Sequence, residues 1–338
     1  MISFLQNGST VPLPLGHTWT KPSTDGEYYR DTAAEQLRTI TAAVANGRPW
    51  REMVAEQYAQ SQPWLHAIVT SPTRDLFFRQ FPPRERARVL DVGAGWGQIA
   101  LPFARRGDLT VAALEPTPER LAFIQAAAQQ ERIAERMYFI QANFQEVTFQ
   151  PVFDLVCCIG VLEWVPKFRA GEPRQLQIEF LRRMRSTLRP GGKCCVGIEN
   201  RLGLKYVLGG RDDHTSQHLV SVFDAELAAA KHLAGTGQAL RVFTYTHAEY
   251  ALLFSEAGFT RVETYAAYPD YKLAQLILPF DSPAEINKTL LQVTIPPEHD
   301  GVDGHLLPNA ADCVSHYRSL ARMGVAHFFC PSFFFILQ

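Results

Sequence analysis

Apolar runs and amphipathic stretches alternate along the middle of the chain, from Pro83 to Asn200. Short continuous apolar runs predict strands buried on both faces, and stretches whose apolar residues recur every three or four positions predict helices. This alternation predicts an α/β fold, a mostly parallel sheet with helices on both faces. The predicted strands are RVLDV, LTVAALE, RMYFIQ, FDLVCCIG and CCVGIEN, and the predicted helices cover about 97–106, PERLAFIQAAAQQ and PRQLQIEFLRRMRSTL.

The chain before this core shows two kinds of pattern. Residues 1–28 are rich in Gly, Pro, Ser and Thr without a clear period, which is typical of an extended arm. From 29 to 81 the apolar spacing becomes helical, and Ser71 followed by Pro72 marks the start of one helix. We therefore expect an arm and a helical cap over residues 1–83, with the aromatic side chains of the cap packed on the rest of the protein.

The chain after the core has a weaker pattern. Two helices are predicted, near 223–234 and at THAEYALLFSEAGF, and the strand RVETYAAYP follows them. Residues 269–330 look irregular, and the apolar FFFIL then predicts a last strand that joins the sheet antiparallel. We expect residues 84–338 to form the main domain, with insertions at about 200–240 and 269–330.

Composition narrows the class of protein. The chain has 338 residues, of which 46% are apolar and 20% charged, and its net charge at pH 7 is −1. This balance indicates a globular protein without the basic field that attracts nucleic acid or anionic membranes. No apolar run reaches the roughly 18 residues of a membrane span, and the first nine residues do not resemble a signal peptide. We expect a cytoplasmic protein that neither inserts into a membrane nor binds nucleic acid.

The cysteines do not have the spacing of a metal or redox site. They are Cys157, Cys158, Cys194, Cys195, Cys313 and Cys330. Neither adjacent pair has the two-residue spacer of a zinc knuckle or a thioredoxin-type motif. Because both pairs lie inside predicted strands, we expect buried structural thiols.

The first predicted strand leads into a glycine-rich loop, VLDVGAGWGQ, at residues 89–98. A nucleoside-triphosphate loop requires a Lys, which this loop lacks. A dinucleotide fingerprint spaces its glycines as Gly-x-Gly-x-x-Gly, whereas Gly97 comes one residue early. The loop therefore suits neither phosphate ligand, although its glycines allow close approach of the backbone to a ligand.

The spacing Asp91-x-Gly93-x-Gly95-x-Gly97 resembles motif I of the class I S-adenosylmethionine-dependent methyltransferases. Further matches follow in order: Glu115 after the second strand, Asn143-Phe144 after the third, CIGVLEWVP after the fourth and LRPGGK before the fifth. The resemblance implies a Rossmann-like fold with a seven-stranded, mostly parallel sheet whose last strand is antiparallel. It also implies S-adenosylmethionine as the cofactor.

The resemblance further implies which residues contact that cofactor. Asp91 would face its ammonium group, and Glu115 would accept hydrogen bonds from both ribose hydroxyls, which suits a carboxylate because it only accepts. The alternative for Glu115 is a helix-start acid before Pro116. Asn143 stands where the family usually has an Asp that accepts from the adenine amino group. The implied cofactor residues are Asp91, Gly93, Ala94, Gly95, Gly97, Glu115, Pro116, Asn143, Phe144 and Gly160.

Residues that contact the methyl acceptor should follow strands four, five and six, because ligands lie at the carboxyl ends of strands in open α/β sheets. His214 follows Asp212 and Asp213, and a His oriented by a carboxylate such as Asp213 would be a suitable base for a hydroxyl acceptor. The alternative for RDDHTSQH is a solvated loop with an Asp N-cap. Glu163, after strand four, would contact the acceptor or the cofactor's ammonium group, and a purely structural hydrogen bond is an equal alternative.

The sequences GVLEWVP, RPGGK, IENRLGLKY, DDHT and YPDYK together resemble a methyltransferase family associated with bacterial cell-envelope glycan gene clusters. This resemblance covers roughly residues 150–280 and implies O-methylation of a saccharide hydroxyl. The expected substrate contacts are Asn200, Asp270, Tyr271 and Lys272. YPDYK is either a lid turn over the acceptor or an anchor at the end of a strand.

Two other functions remain open on the sequence. One is an O- or N-methyltransferase of a small natural product or metabolite, and the other is a methyltransferase-like scaffold without catalysis. The intact glycine motif and Glu115 argue against the scaffold. A divalent metal on Asp212 or Asp213 with His214 or His218 is a further alternative, but it lacks a third spaced ligand. We therefore expect no metal.

Overall fold

The computed structural model describes residues 2–6, 9–21, 31–296 and 310–338. Residues 22–30 of the expected arm and cap, and 297–309 of the second expected insertion, lie outside this description. The strands are β1 (Ser3–Gln6), β2 (Ser9–Pro12), β3 (Thr18–Thr20), β4 (Arg88–Val92), β5 (Thr110–Leu114), β6 (Met137–Gln141), β7 (Thr148–Phe149), β8 (Phe153–Ile159), β9 (Leu188–Glu199), β10 (Val262–Tyr268), β11 (Leu276–Pro279) and β12 (Ser332–Leu337).

The helices occupy both flanks of these strands. They are α1 (Ala34–Ala45), α2 (Trp50–Tyr58), α3 (Pro63–Thr70), α4 (Arg74–Gln80), α5 (Ala100–Arg105), α6 (Pro118–Gln130), α7 (Pro173–Thr187), α8 (Leu204–Val207), α9 (Ala225–Thr236), α10 (His247–Glu256), α11 (Pro283–Gln292) and α12 (Ala310–Arg322). None of the helices in the described ranges combines the length and apolarity needed to cross a membrane.

The main sheet has the strand order β11-β10-β12-β9-β8-β4-β5-β6-β3. The six strands from β9 to β3 run parallel, and β12 pairs antiparallel with both β9 and β10. The expected α/β fold with a mostly parallel sheet and an antiparallel last strand is confirmed. The expected strand number was wrong, because the sheet has nine strands rather than seven.

The two additional strands, β3 and β11, form the edges of the sheet. β3 has three residues and pairs parallel with β6, and β11 has four residues and pairs antiparallel with β10. Edge strands are often short, and β11 ends in a proline that removes a ladder hydrogen bond. Such short segments do not carry a hydrophobic period long enough to be identified in the sequence.

Burial on both faces explains the continuous apolar strands. Val89 and Leu90 are neighbours on β4 and are both fully buried, but they point to opposite faces of the sheet. The core on the Val89 side includes side chains from α1 to α6, and the core on the Leu90 side includes side chains from α7 to α11 and Tyr317 of α12. Helices therefore exclude water from both faces of the central strands.

Aromatic side chains join the cap helices to the sheet. The ring of Phe77 lies 5.2 Å from that of Phe334 on β12, and the ring of Phe78 lies 4.7 Å from that of Phe103 on α5. The indole N–H of Trp50 also donates to Oε1 of Glu131 at 2.8 Å. The cap helices therefore share the core of the main sheet.

Several local expectations differ from the structure. The described parts of residues 269–330, namely 269–296 and 310–330, are not irregular, since they contain β11, α11 and α12. LRPGGK does not precede the fifth strand of the core but forms the first half of β9, where the register with β8 shifts between Phe153 and Leu155. α5 begins at Ala100 rather than near Gly97, and α4 begins at Arg74, just after the Ser71-Pro72 signal. The six cysteines are buried thiols, as expected.

Candidate active site

The glycine loop turns sharply at the carboxyl end of β4. Gly93, Gly95 and Gly97 have φ values of +71°, +57° and +80°, which side chains rarely adopt. A Cβ on Gly93 would also lie 2.6 Å from Cγ2 of Val161. The loop is tied to the next strand, because the N–H groups of Gly93 and Ala94 both donate to the carbonyl of Leu114.

Glu115, at the end of β5, braces this loop. Its Oε2 accepts from the N–H of Gly95 at 2.8 Å, and its Oε1 accepts from the N–H of Thr117 at 3.0 Å. Each carboxylate oxygen can accept more than one hydrogen bond, so both retain capacity toward a ligand. Glu115 therefore has the helix-start role considered as the alternative, and its contact with the ribose stays a prediction.

Two adjoining cavities meet at the glycine loop. The larger has a volume of about 730 Å³ and the smaller about 150 Å³. The residues that line both are Gly93, Arg120, Gly160 and Trp164. The larger volume lies within the usual range for small-molecule sites.

The smaller cavity contains the residues expected near the ribose and adenine. Glu115, Pro116, Asn143 and Phe144 all line it. The amide oxygen of Asn143 accepts from the N–H of Gln145 at 3.0 Å and so caps a 3-10 turn. Asn143 therefore has a structural role besides any contact with a ligand.

The larger cavity contains a cluster of one imidazole and two carboxylates. Nε2 of His214 lies 3.8 Å from Oε1 of Glu163 and 3.8 Å from Oε2 of Glu199. The three residues come from separate segments: the 3-10 turn Leu162–Trp164, the last position of β9 and the loop after α8. Their side chains are at most 5% exposed, although all three line the cavity.

Lysines and further acids surround this cluster. Nζ of Lys272 lies 2.5 Å from Oε1 of Glu199 and 3.7 Å from Oδ2 of Asp270. Lys205 contacts Asp213 at 2.7 Å. Charged side chains contributed by four segments therefore meet in one cavity.

The proton affinities in the cluster reflect competition between burial and neighbouring charge. Burial raises the pKa of Glu163, with a smaller contribution from Glu199. Burial opposes the ionisation of Glu199, but Lys272 and His214 outweigh it and lower its pKa to about 2. Burial also disfavours the charged form of His214, yet Glu199 and Asp212 hold its pKa well above the usual value. These carboxylates therefore favour the protonated imidazole of His214, whereas the base role predicted from the sequence requires the neutral form.

Another cavity contact involves the start of the cap. Nη2 of Arg120 lies 2.7 Å from Oδ1 of Asp31, and the indole N–H of Trp96 donates to Oδ2 of Asp31 at 3.2 Å. All three side chains line the larger cavity. The chain just before α1 therefore forms part of the cavity wall.

Three predicted site residues have other positions or partners. Asn200 does not line either cavity: its Nδ2 donates to the carbonyls of Phe328 and Cys330, so its role is structural. Gly97 packs against Leu101 rather than facing a cavity. Of the two adjacent aspartates, it is Asp212 that lies beside His214: its Oδ1 accepts from the backbone N–H of His214 at 3.0 Å and lies 3.8 Å from the ring Nδ1, whereas Asp213 faces Lys205.

The remaining predicted site residues line the cavities, and the structure adds others. Asp91, Ala94, Asp270, Tyr271 and Lys272 line the larger cavity. Further lining residues are Asp31, Arg120 and Lys205, which the sequence did not predict, and Glu199, which lies at the end of strand five where acceptor contacts are expected. The position of Glu199 at the end of a predicted strand was the sequence feature that could have identified it. The other three residues reach the cavity only through contacts between segments distant in the chain, which the sequence does not reveal.

Comparison with known proteins identifies the family. A family model described as a methyltransferase domain matches residues 89–192. The ubiquinone biosynthesis O-methyltransferase of Xylella fastidiosa is 31% identical over 181 residues, which cover 51% of this chain and 68% of that protein. The tRNA 5-carboxymethoxyuridine methyltransferase of Escherichia coli is 31% identical over 122 residues, 36% of this chain and 43% of that one.

Similarity also extends to solved structures, at low identity. Phosphoethanolamine N-methyltransferase 2 of Haemonchus contortus, solved with S-adenosylmethionine, is 15% identical with a TM-score of 0.44, covering 78% of this chain and 51% of that one. The chain spans about half the length of most curated relatives that it matches. The Xylella match covers more than two thirds of its relative, and together with the domain match it shows that the chain belongs to the class I S-adenosylmethionine-dependent methyltransferases.

Proposed function

We propose that the protein transfers a methyl group from S-adenosylmethionine to a hydroxyl of a saccharide or glycan. The observation that carries this proposal is the pair of adjoining cavities that share Gly93 and Gly160. The smaller cavity is lined by Glu115 and Asn143, the residues that the family resemblance assigns to the ribose and adenine. The larger is lined by several carboxylates and two lysines, so the reactive methyl would lie at the boundary between cofactor and acceptor.

The lining of the larger cavity supports a polyhydroxylated acceptor. Gln60 and Gln62 supply amides at one side, and Lys205 and Lys272 supply ammonium groups at another. Carboxylates accept hydrogen bonds from hydroxyls, and amides and ammonium groups donate to them. Trp64 and Trp164 add aromatic surface against which the apolar face of a sugar ring can pack.

The transfer is a direct displacement. S-adenosylmethionine, when bound, would supply a methyl group on a sulfonium; a lone pair of the acceptor oxygen would form the new C–O bond, and the electron pair of the S–CH₃ bond would remain on sulfur. The hydroxyl proton passes to the carboxylate of Glu163, which lies in the cavity. The protein's main task is to hold the acceptor oxygen in line with the S–CH₃ bond and to exclude water.

Two other classes of methyl acceptor, an aromatic compound and tRNA, are the alternatives to a saccharide. The Xylella relative is named for ubiquinone biosynthesis and the E. coli relative for tRNA. The net charge of −1 and the acidic cavity disfavour an RNA backbone, which is bound through Lys and Arg. The abundance of charged side chains likewise favours a sugar over a largely apolar aromatic acceptor.

The cytoplasmic location expected from the sequence remains a prediction.

A labelled-methyl transfer screen tests the proposal. Nucleotide sugars and envelope saccharides, a dihydroxyaromatic compound and tRNA should be offered separately, and we expect label only in the saccharide products. Glu163→Gln should lower that transfer strongly, whereas Glu135→Gln, an exposed Glu on a surface turn, should not. Label confined to the aromatic compound or to tRNA would overturn the saccharide assignment. Lack of cofactor binding in a calorimetric titration would favour a scaffold.

A further inference from the structure

We propose that Glu163, Glu199 and His214 form a binding site for a divalent metal ion. Each residue offers one ligand atom, and these atoms all lie within 4.8 Å of one another. Ligands held about 2.1 Å from one ion are themselves about 3–4 Å apart, depending on the angle between them. The two 3.8 Å separations from Nε2 of His214 fit that spacing and are too long for hydrogen bonds.

Two buried carboxylate oxygens provide an independent observation. Oε2 of Glu163 and Oε2 of Glu199 have no hydrogen-bond partner within the described ranges, and both atoms are almost inaccessible. A buried carboxylate oxygen without a partner is costly, and such atoms usually bind a proton, a cation or water. Oε1 of Glu199 is already engaged by Lys272 and the Tyr271 hydroxyl, which orients Oε2 toward His214.

The balance of charge around the cluster also favours a cation. Within the described ranges, the ion pairs in and beside the cluster connect His214 and two ammonium groups with five carboxylates; the residues are Lys205, Lys272, Glu163, Glu199, Asp212, Asp213 and Asp270. Three negative charges are therefore uncompensated when all carboxylates are ionised and the imidazole is neutral. A divalent ion would neutralise two of them, whereas protonation of His214 neutralises one.

The donor set indicates the type of ion. One imidazole nitrogen and two carboxylate oxygens suit Mn²⁺ or Zn²⁺ better than Ca²⁺, which prefers a shell of oxygens. All three residues line the larger cavity, so the remaining coordination positions face the space assigned to the acceptor. Three protein ligands with open positions are typical of catalytic rather than structural sites.

The role of the ion rests on the proposed function. An acceptor hydroxyl bound to the ion would lose its proton more readily, because a cation stabilises the alkoxide. One oxygen of Glu163 would bind the ion and its other oxygen would take that proton. This ligand set differs from the pairing of Asp212 or Asp213 with His214 or His218 considered from the sequence, since Asp213 contacts Lys205 and His218 contacts Gly209.

Binding of Mn²⁺ to the chelator-treated full chain tests the site without cofactor or acceptor. Electron paramagnetic resonance should detect one bound Mn²⁺ per chain, and Zn²⁺ should displace it. His214→Ala and Glu163→Gln should each weaken binding by at least about tenfold. The matched control is His218→Ala, an imidazole in the same loop that lies outside the cavity, and it should bind Mn²⁺ as the parent protein does.

Either of two results would overturn the site: no Mn²⁺ bound at millimolar concentration, or equal binding by all variants. The first would mean that a protonated His214 alone balances the carboxylates. Glu163→Gln preserves the side-chain volume and is therefore expected to fold. If the His214 variant has a lowered melting temperature, the Glu163 variant alone decides the test. Because this readout needs neither cofactor nor methyl transfer, its failure leaves the proposed function intact. If saccharide methylation continued undiminished in the presence of EDTA, the metal ion would have no role in the reaction.

Discussion

Oε2 of Glu115 accepts a hydrogen bond from the backbone N–H of Gly95 at 2.8 Å. The side chain that the family resemblance assigns to the ribose therefore also fixes the conformation of the glycine loop. Its other oxygen holds the N–H of Thr117 at the start of α6. One buried carboxylate thus links the glycine loop to the start of α6, and we expect its removal to loosen the loop as well as any contact with the ribose.

Glu115→Gln should weaken S-adenosylmethionine binding by tenfold or more while the chain stays folded. Glutamine fills the same volume, but one acceptor oxygen becomes a donor and the negative charge is lost, and hydrogen bonds to charged groups contribute about 1.5–3 kcal/mol each. Calorimetric titration measures the change, with exposed Glu135→Gln as the control. An unchanged dissociation constant would show that Glu115 does not contact the ribose.

Gly93→Ala should impair cofactor binding far more than Gly47→Ala. Both residues have positive φ, so each substitution costs about 1–2 kcal/mol of backbone strain. Only at Gly93 would the new Cβ meet a neighbour, Cγ2 of Val161 at 2.6 Å, whereas nothing lies within 4 Å at Gly47. The double change Gly93→Ala with Val161→Ala should recover part of the affinity. Equal effects of the two single changes would contradict the packing explanation.

The contact between Trp50 and Glu131 should make stability depend on pH. Burial opposes ionisation of Glu131, but hydrogen bonds from Arg105 and Trp50 outweigh it and lower its pKa. A lowered carboxyl pKa stabilises the fold above the unfolded-state pKa, and this contribution is lost as pH falls through the folded-state value. Glu131→Gln should therefore lose about 1 kcal/mol at pH 7, the difference between charged and neutral acceptors, and much less at low pH.

Urea unfolding at several pH values measures this difference. The control is Glu56→Gln, whose ion pair with Arg48 is half exposed on both sides and should contribute little. A Glu131 effect that stays constant from pH 7 down to acid would show that the carboxylate charge does not anchor the cap.

Asn200→Ala should destabilise the fold rather than alter acceptor recognition. Its Nδ2 donates to the carbonyls of Phe328 and Cys330 at 2.9 and 2.8 Å, and Oδ1 accepts from the N–H of Leu202. Loss of these buried partners should cost about 1–3 kcal/mol. Exposed Asn46→Ala is the control for unfolding experiments. If the variant were as stable as the parent protein but had an altered KM for the acceptor, the result would support the original prediction that Asn200 contacts the substrate.

The residues predicted to bind the cofactor could be identified from local sequence alone. The strand ending at Val92, the glycines after it and Glu115 at the end of β5 lie within short stretches, and parallel strands bring their carboxyl ends to one edge. Hydrophobic periodicity was likewise sufficient for the seven longer strands of the main sheet. It did not reveal β3 and β11, because three or four residues at an edge carry too little pattern.

The tertiary structure alone decided how the acceptor half is assembled. Glu163, Glu199 and His214 are separated by 36 and 15 positions in the chain, and no sequence spacing predicts that their ligand atoms converge. The adjacent acids Asp212 and Asp213 have separate partners because one turns toward His214 and the other toward Lys205. The direction of a side chain in a loop depends on which distant segments pack beside it. The loop sequence therefore shows which residues are charged, but only the tertiary structure shows which of them contact each other.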